Sequence, residues 1–410
     1  MSHIVITGIG VISSLGVGRE AFWKSCKNAK NGIKKIVSFD TSSFRSNVAG
    51  WVEGFNPKEF MPSRVYRRMS RVSRMAVAAS IEALEDSKLT LGTMNKDRVG
   101  VIIGTAYGSS SHVEDFFLSL LNDGPRGAQP FLFPETVPNA PASHISMFHG
   151  ITGPNTTFCQ NDISAENAIL YAHNLLSQNI VDIVLVGGAD ELTAIQYDCY
   201  HSLNVLNKTK VDNDESVKPM LGGGLILGEG AGILIMERSD FADKRGASTY
   251  GTFKSGFNTG GITPTGRYEI EGKQVSRAMS LALEKADVDI DETGRGIDII
   301  DVSANFSFEL DRMEYNQLNK MFPKRINDLM VTPLKYLMGN FGGAGAIRAA
   351  AVLLSLRNQY PLPSIKAELL KGKPYDELEW KIPSISKIQT ALMTTTTFGG
   401  GSSSLVFTRN

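Results

Sequence analysis

The chain has 410 residues, of which 42% are hydrophobic and 20% charged, the balance of a globular protein with ample core rather than a disordered one. The 42 Lys and Arg residues equal the 42 Asp and Glu residues. That excludes a strongly basic nucleic-acid binder and an acidic disordered tail, though not a local charged patch. No apolar run is long enough to cross a membrane, so no nucleic-acid or membrane partner is expected.

In chain order, Ile4 to Gly10 reads as a strand running into a glycine turn, with no cationic leader before it, so no signal peptide is expected. Residues 72–88 carry Ala and Leu at helical spacing, and 99–105 is a continuous apolar run with the character of a buried strand. From Ser164 to Gln178, Ala165, Ala168, Ile169, Ala172, Leu175 and Leu176 fall on one helical face. Val181 to Gly188 is again a strand into a glycine turn. The second part repeats the theme, with helices over 273–286 and 344–357 and strands over 297–302 and 405–407. Strands alternating with helices predict an α/β fold whose sheets are covered by helices. Cys26, Cys159 and Cys199 are irregularly spaced. This fits reduced thiols of a cytoplasmic protein, not a disulfide framework or a Cys-based zinc site. No metal or cofactor is expected.

Several segments, in order from about residue 4 to residue 407, carry a further pattern. Gly153-Pro154 leads through a strand to a turn at residue 162, a helix, and Gly187-Gly188-Ala189-Asp190. Lys218-Pro219 precedes Gly228-Glu-Gly-Ala-Gly232; Lys335 precedes Gly339-Asn340 and a glycine-rich stretch to Ala346; Phe398-Gly399-Gly400 lies near the end. With these motifs the chain resembles the β-ketoacyl synthases of the thiolase superfamily. The resemblance implies a thiolase-like fold of two pseudo-duplicated halves, 1–250 and 251–410, with mixed five-stranded sheets and helices in layers. In active members a Cys at a helix N-terminus takes the acyl group as a thioester, the helix dipole lowering its pKa. Two His residues assist decarboxylation of the malonyl group, and backbone N–H groups beside the Cys and in the C-terminal glycine loop form an oxyanion hole.

All three of those side chains are replaced here. The nucleophile position, nine residues after Gly153, is Asp162; the two His positions are Asn305 and Asn340. The six His residues are 3, 112, 144, 149, 173 and 201, so no shift of alignment restores the pair. Asp162 precedes Ser164 and Glu166 and is expected to cap the helix. The alternative is that it mimics a bound carboxylate or acts as a base toward a malonyl group. Cys159 lies on the preceding strand, away from the helix N-terminus that would activate a thiol. Asn305 and Asn340 can hydrogen-bond but cannot carry a proton between groups. Lys335 is expected to be structural and to pair with Asp311 or Glu314.

By this loss the chain is similar to the degenerate partner subunits, or chain length factors, of bacterial type II polyketide synthases. The resemblance implies a non-catalytic subunit that pairs with an active ketosynthase and sets the length of a growing polyketide chain during condensation on an acyl carrier protein. A malonyl-carrier-protein decarboxylase, an atypical active synthase and a carrier-protein scaffold are the alternatives. Ser110, Val113 and Phe117 share one helical face and, in the resemblance, face the acyl tunnel; the strand at about 156–160 forms the dimer contact. Arg64, Arg67, Arg68, Arg71 and Arg74, with no acid among them, form a candidate patch for an acidic carrier protein.

Overall fold

The computed structural model describes residues 3–213, 217, 223–290, 296–371 and 378–410; the Lys218-Pro219 motif lies outside them. The first half contributes strand β1 (Ile4–Ser13), helix α1 (Arg71–Ser87), β2 (Val99–Gly104), α2 (Ser110–Asp123) and α3 (Ala140–His149). It continues with β3 (Asn155–Phe158), α4 (Ser164–Ser177), β4 (Ile183–Asp190), α5 (Ala194–Ser202) and β5 (Gly230–Arg238). The second half contributes β6 (Gly251–Thr259), α6 (Lys273–Lys285), β7 (Ile299–Asp301), α7 (Phe308–Met321), β8 (Met330–Val331), α8 (Ala344–Asn358), β9 (Thr390–Thr396) and β10 (Ser402–Thr408).

The strand order repeats. In the first half it runs β3-β2-β4-β5-β1, the first two pairings parallel and the next two antiparallel. In the second it runs β7-β9-β10-β6, parallel and then twice antiparallel. A parallel bridge from Asp301 to Thr332 puts the end of β8 where the fifth strand belongs. The halves are therefore duplicates in topology, each with five positions, and β1 pairs with β6 to join them into one ladder. Helix α1 covers the outer face of the first half and α6 that of the second, while α4 and α8 pack between the halves. Helix α8 is buried from Ala344 to Leu356, which is why it is rich in Ala: a helix sandwiched between two sheets needs small side chains on every face.

Two expected glycine turns are not turns. Gly8 and Gly10 lie inside β1, and Gly187 and Gly188 inside β4. A Cβ at Gly10 would stand 1.9 Å from the carbonyl oxygen of Ala79 on α1, and one at Gly187 would stand 1.8 Å from that of Gly232. These glycines permit close packing of backbone on backbone. Local sequence alone does not separate that role from a turn.

Candidate functional site

Strand β3 and helix α4 are joined by a tight turn, Asn161–Ile163, with Asn161 in the left-handed region at φ 48°, a conformation Asn tolerates. The Ser164 hydroxyl fixes this turn, accepting from the Gln160 amide at 2.8 Å and donating to the Asn161 carbonyl at 2.7 Å. Asp162 is thereby buried at the head of α4. It does not cap the helix: Ile163 holds the N-cap position and no side chain caps it. The Asp162 carboxylate turns across the interior instead and accepts the side-chain amide of Asn340 at 2.8 Å.

Asn340 is delivered by the short helix Lys335–Met338 and a left-handed Gly339. Its backbone is tied to the Ile226 carbonyl and the Gly228 amide, at 2.7 and 3.1 Å. The site thus brings together two of the three degenerate positions. Asn305 makes its hydrogen bonds to other partners. Its side-chain amide donates to the hydroxyl of Tyr268 at 2.8 Å, while its own backbone amide is held by Asp311 at 3.0 Å.

The backbone amide of Asp162 points at the hydroxyl of Thr397, 3.3 Å away. Thr397 begins the glycine loop, where Gly399 and Gly400 are both left-handed and Phe398 folds back against the rings of Tyr268 and Tyr200, at 4.5 and 6.3 Å. The Tyr200 hydroxyl meets that of Tyr107 at 2.8 Å. Burial and the nearby Asp162 charge push both the Tyr200 and Tyr268 phenols well above their ordinary values, and burial pushes Tyr107 up to about 12. All three are neutral donors and acceptors. The space left between Tyr107, Tyr200, Leu227 and Asn340 is about 10 Å³, room for no more than a water molecule.

Lys335 is fully buried, and its ammonium donates to the Ser303 hydroxyl at 3.4 Å. Burial lowers its pKa, with Asp162, Glu166 and Glu314 opposing. The expected ion pair is not formed. Asp311 accepts from the Tyr336 hydroxyl at 2.6 Å, and Glu314 accepts from the Ser303 amide at 2.8 Å and the Thr394 hydroxyl at 3.1 Å. Burial raises Asp311 to about 8 and Glu314 to about 7. Carboxyls that retain protons near neutrality make poor partners for a cation.

Sequence reasoning passed over Arg348, which is completely buried on α8. Its guanidinium donates to Asp301 at 2.8 Å, the Thr395 hydroxyl at 2.7 Å and the Thr394 carbonyl at 2.6 Å, and lies 3.7 Å from Glu166. A lone Arg inside an Ala-rich helix was the available signal. Also missed were Tyr268, Tyr200 and Thr397, which no periodic pattern marks. Asp190, quoted only as part of a motif, accepts from the Thr105 hydroxyl and the amides of Ala106 and Gly343, at 2.7, 2.9 and 2.8 Å. It ties β2 to the start of α8 beneath the site.

The arginine patch divides. Arg64, Arg67 and Arg68 are exposed. Arg71 is bound to the buried Glu229 at 2.6 Å, and Arg74 donates to the Tyr66 carbonyl at 3.1 Å and lies over its ring. These two are half-buried and have partners within the chain. On α2, Ser110 is buried and accepts from the Gln196 side-chain amide at 2.8 Å; Val113 is half-buried and Phe117 is 53% exposed. Cys159 is exposed as a residue, and partial desolvation of its thiol, with the Asp190 charge, raises its pKa, which is the reverse of an activated nucleophile.

The arrangement supplies a carboxylate, two carboxamides, a buried ammonium and neutral phenols. It offers neither a thiolate at the helix head nor an imidazole to move a proton. No helix among the described residues is long and apolar enough to cross a membrane.

Residues 1–242 match the family model of the beta-ketoacyl synthase N-terminal domain, and residues 252–368 match that of the beta-ketoacyl synthase C-terminal domain. The chain is 27% identical over 413 residues to the 3-oxoacyl-[acyl-carrier-protein] synthase 2 of Vibrio cholerae, covering 99% of each. It shares its fold with the ishigamide ketosynthase/chain length factor, with a TM-score of 0.87 at 24% identity over 100% of this chain and 99% of that one. It also shares it with a type II polyketide synthase acyl-carrier protein complex with its ketosynthase, with a TM-score of 0.85 at 22% identity over all of both chains. The matched segments span both duplicated halves and every degenerate position, and the chain belongs to the beta-ketoacyl synthase family.

Proposed function

We propose that this chain is the non-catalytic member of a ketosynthase pair: a cytoplasmic subunit that binds an active ketosynthase and sets the length of the polyketide grown on an acyl carrier protein. The observation that carries this reading is the Asp162–Asn340 hydrogen bond at 2.8 Å, in the place where an active synthase keeps its nucleophile and a His. The amide of Asp162 is turned to Thr397, and Asp162, Asn305 and Asn340 stand where the thiol and the two imidazoles of an active synthase belong, so the site lacks those reacting groups. What remains for the chain to offer is surface. Strand β3 is an edge strand, paired only with β2 among the described residues, and its free edge is suited to a strand of the partner. Phe117, Leu118 and Leu121 of α2 also stand exposed. Under a partner subunit they become the wall of an acyl tunnel that runs in from that partner's active site. The exposed Arg64, Arg67 and Arg68 are the candidate contact for the carrier protein.

Co-expression with a ketosynthase that carries Cys and two His residues tests the reading. The expected result is a one-to-one pair by mass measurement, no condensation by this chain alone, and a defined product length from the pair. Turnover by the purified chain alone, lost in Asp162→Ala, would replace this reading with a decarboxylase or an atypical synthase. A pair whose product length ignores every substitution on the α2 face would leave only a scaffold.

A further inference from the structure

Residues 260–272, the segment after β6, lie over the degenerate site and behave unlike an ordinary surface loop. Ile262 and Ile270 stand in solvent, yet Tyr268 between them is only 2% exposed. Its hydroxyl accepts from Asn305 and its ring lies against Phe398. The segment is fastened to the glycine loop a second time, by the Gly261 amide donating to the Gly400 carbonyl at 2.9 Å. A Cβ at Gly400 would stand 2.8 Å from the carbonyl carbon of Gly261, so the two strips of backbone are in direct contact.

On its outer side the same segment forms an open depression of about 590 Å³, lined by Pro264, Arg267, Tyr268, Ile270 and Glu309 among others. Arg267 and Glu309 are paired at its rim. Tyr268 is shared: it belongs to the floor of the depression on one side and is bonded to the degenerate site on the other. Its ring lies on Phe398 at 4.5 Å, and the neighbouring Thr397 accepts the Asp162 amide at 3.3 Å, so Tyr268 is joined to the head of α4 through the glycine loop.

We propose that Tyr268 is a stopper that closes the degenerate site against the surface depression, so that a substrate arm reaching this chain finds no way in. The stopper is built from three contacts: the ring on Phe398, the hydroxyl on Asn305, and the Gly261–Gly400 clasp. It goes beyond the non-catalytic reading, because a site that has lost its reacting groups could still admit ligands. A closed one leaves the partner's site as the place where an acyl arm can dock. Tyr268 acts through position, holding a boundary and taking part in no reaction.

The test is access to a thiol at the head of α4. In a Cys159→Ser, Cys199→Ser background, with Cys26 remaining fully buried, Asp162→Cys introduces the reporter. Its alkylation by iodoacetamide is followed by intact mass, with the unfolded chain as reference. With Tyr268 present, labelling is expected to be slower than in the unfolded chain by a factor on the order of 100 or more, because reaction must await local opening. Adding Tyr268→Ala should restore at least about tenfold of that, and Tyr268→Phe, which keeps the ring and loses the Asn305 bond, should fall between. Rapid labelling with Tyr268 in place would overturn the proposal, and this arm needs no second substitution to fold. Unchanged slow labelling in a folded Tyr268→Ala or Tyr268→Phe chain would overturn it as well. Neither result touches pairing or product length, so the stopper and the non-catalytic reading fail separately.

Discussion

Asp301 accepts the Nε–H of Arg348 at 2.8 Å, and neither side chain exposes any surface. Asp301 comes from the end of β7 and Arg348 from the middle of α8, so the bond pins the central helix to the second sheet directly behind the site. Glu166 on α4 approaches the same guanidinium. Gly345 makes this possible, since a Cβ there would stand 2.4 Å from the Glu166 carboxyl carbon. Arg348→Met should therefore cost about 3–5 kcal/mol, because two carboxylates lose their cation in the dry interior. The denaturation midpoint measures it. Adding Asp301→Asn and Glu166→Gln should recover much of the loss, and a triple variant no more stable than the single one would show that the charges are not the cause.

A second expectation concerns pH. Burial raises Asp311 from 3.8 to about 8 and Glu314 from 4.5 to about 7. An acid whose pKa rises on folding makes the native state bind more protons than the unfolded state between the two values, so stability falls as pH climbs through that window. Groups shifted the other way act at the acid end. Glu135 is lowered to about 2, with His144 bonded to it, and His149 is lowered to about 4 by burial; their contributions are lost as pH falls. Between about pH 6.5 and 8 the raised acids govern, and the melting temperature should decline across that interval. Asp311→Asn, close in shape, should flatten the decline, and an unchanged slope in that variant would refute the assignment.

The arginines offer a third measurement. Arg67→Glu together with Arg68→Glu should weaken binding of an acidic carrier protein by about tenfold at low salt, with less effect at high salt and none on the melting temperature. Arg71→Ala should do the opposite. It leaves the buried Glu229 without its cation and should cost about 3 kcal/mol of stability. Titration of the pair with carrier protein, beside thermal melts, separates the two kinds of arginine.

The fourth concerns product length. Phe117→Ala changes an exposed ring, so the fold should tolerate it within about 0.5 kcal/mol, while the pair should make longer products. Ser110→Phe should shorten them, but Ser110 is buried against Gln196, and the larger side chain should also cost about 1–3 kcal/mol by overpacking. Mass spectrometry of products, read only from variants that still pair, is the measurement. An unchanged distribution for Phe117→Ala at full turnover would remove α2 from the tunnel.

The parts of this molecule that were legible in the sequence are those decided locally or by ordered motifs. Apolar periodicity marked α1, α4, α6 and α8, and motif spacing marked the three degenerate positions and the glycine loop. What failed depended on partners far away in the chain. Nothing near Asp162 announces that Asn340, 178 residues on, will draw its carboxylate away from the helix end. Nothing near Arg71 announces Glu229. The glycines of β1 and β4 look like turns until the helix or strand lying on them is known. Tyr268 sits in a segment with no periodic signal, and only the third dimension shows that it points inward.

The joined ladder has a consequence for counting. Its two ends are not alike. At one end β3 leaves a free row of backbone groups, whereas at the other the Thr332 amide and carbonyl already bond to β7, at 2.9 and 3.2 Å, and β8 is in turn occupied by residues 365–366. Among the described residues the ladder thus has one vacant terminus. Objects with a single valence can join once and are then saturated. An assembly made through this edge stops at two subunits and cannot run on into a fibre.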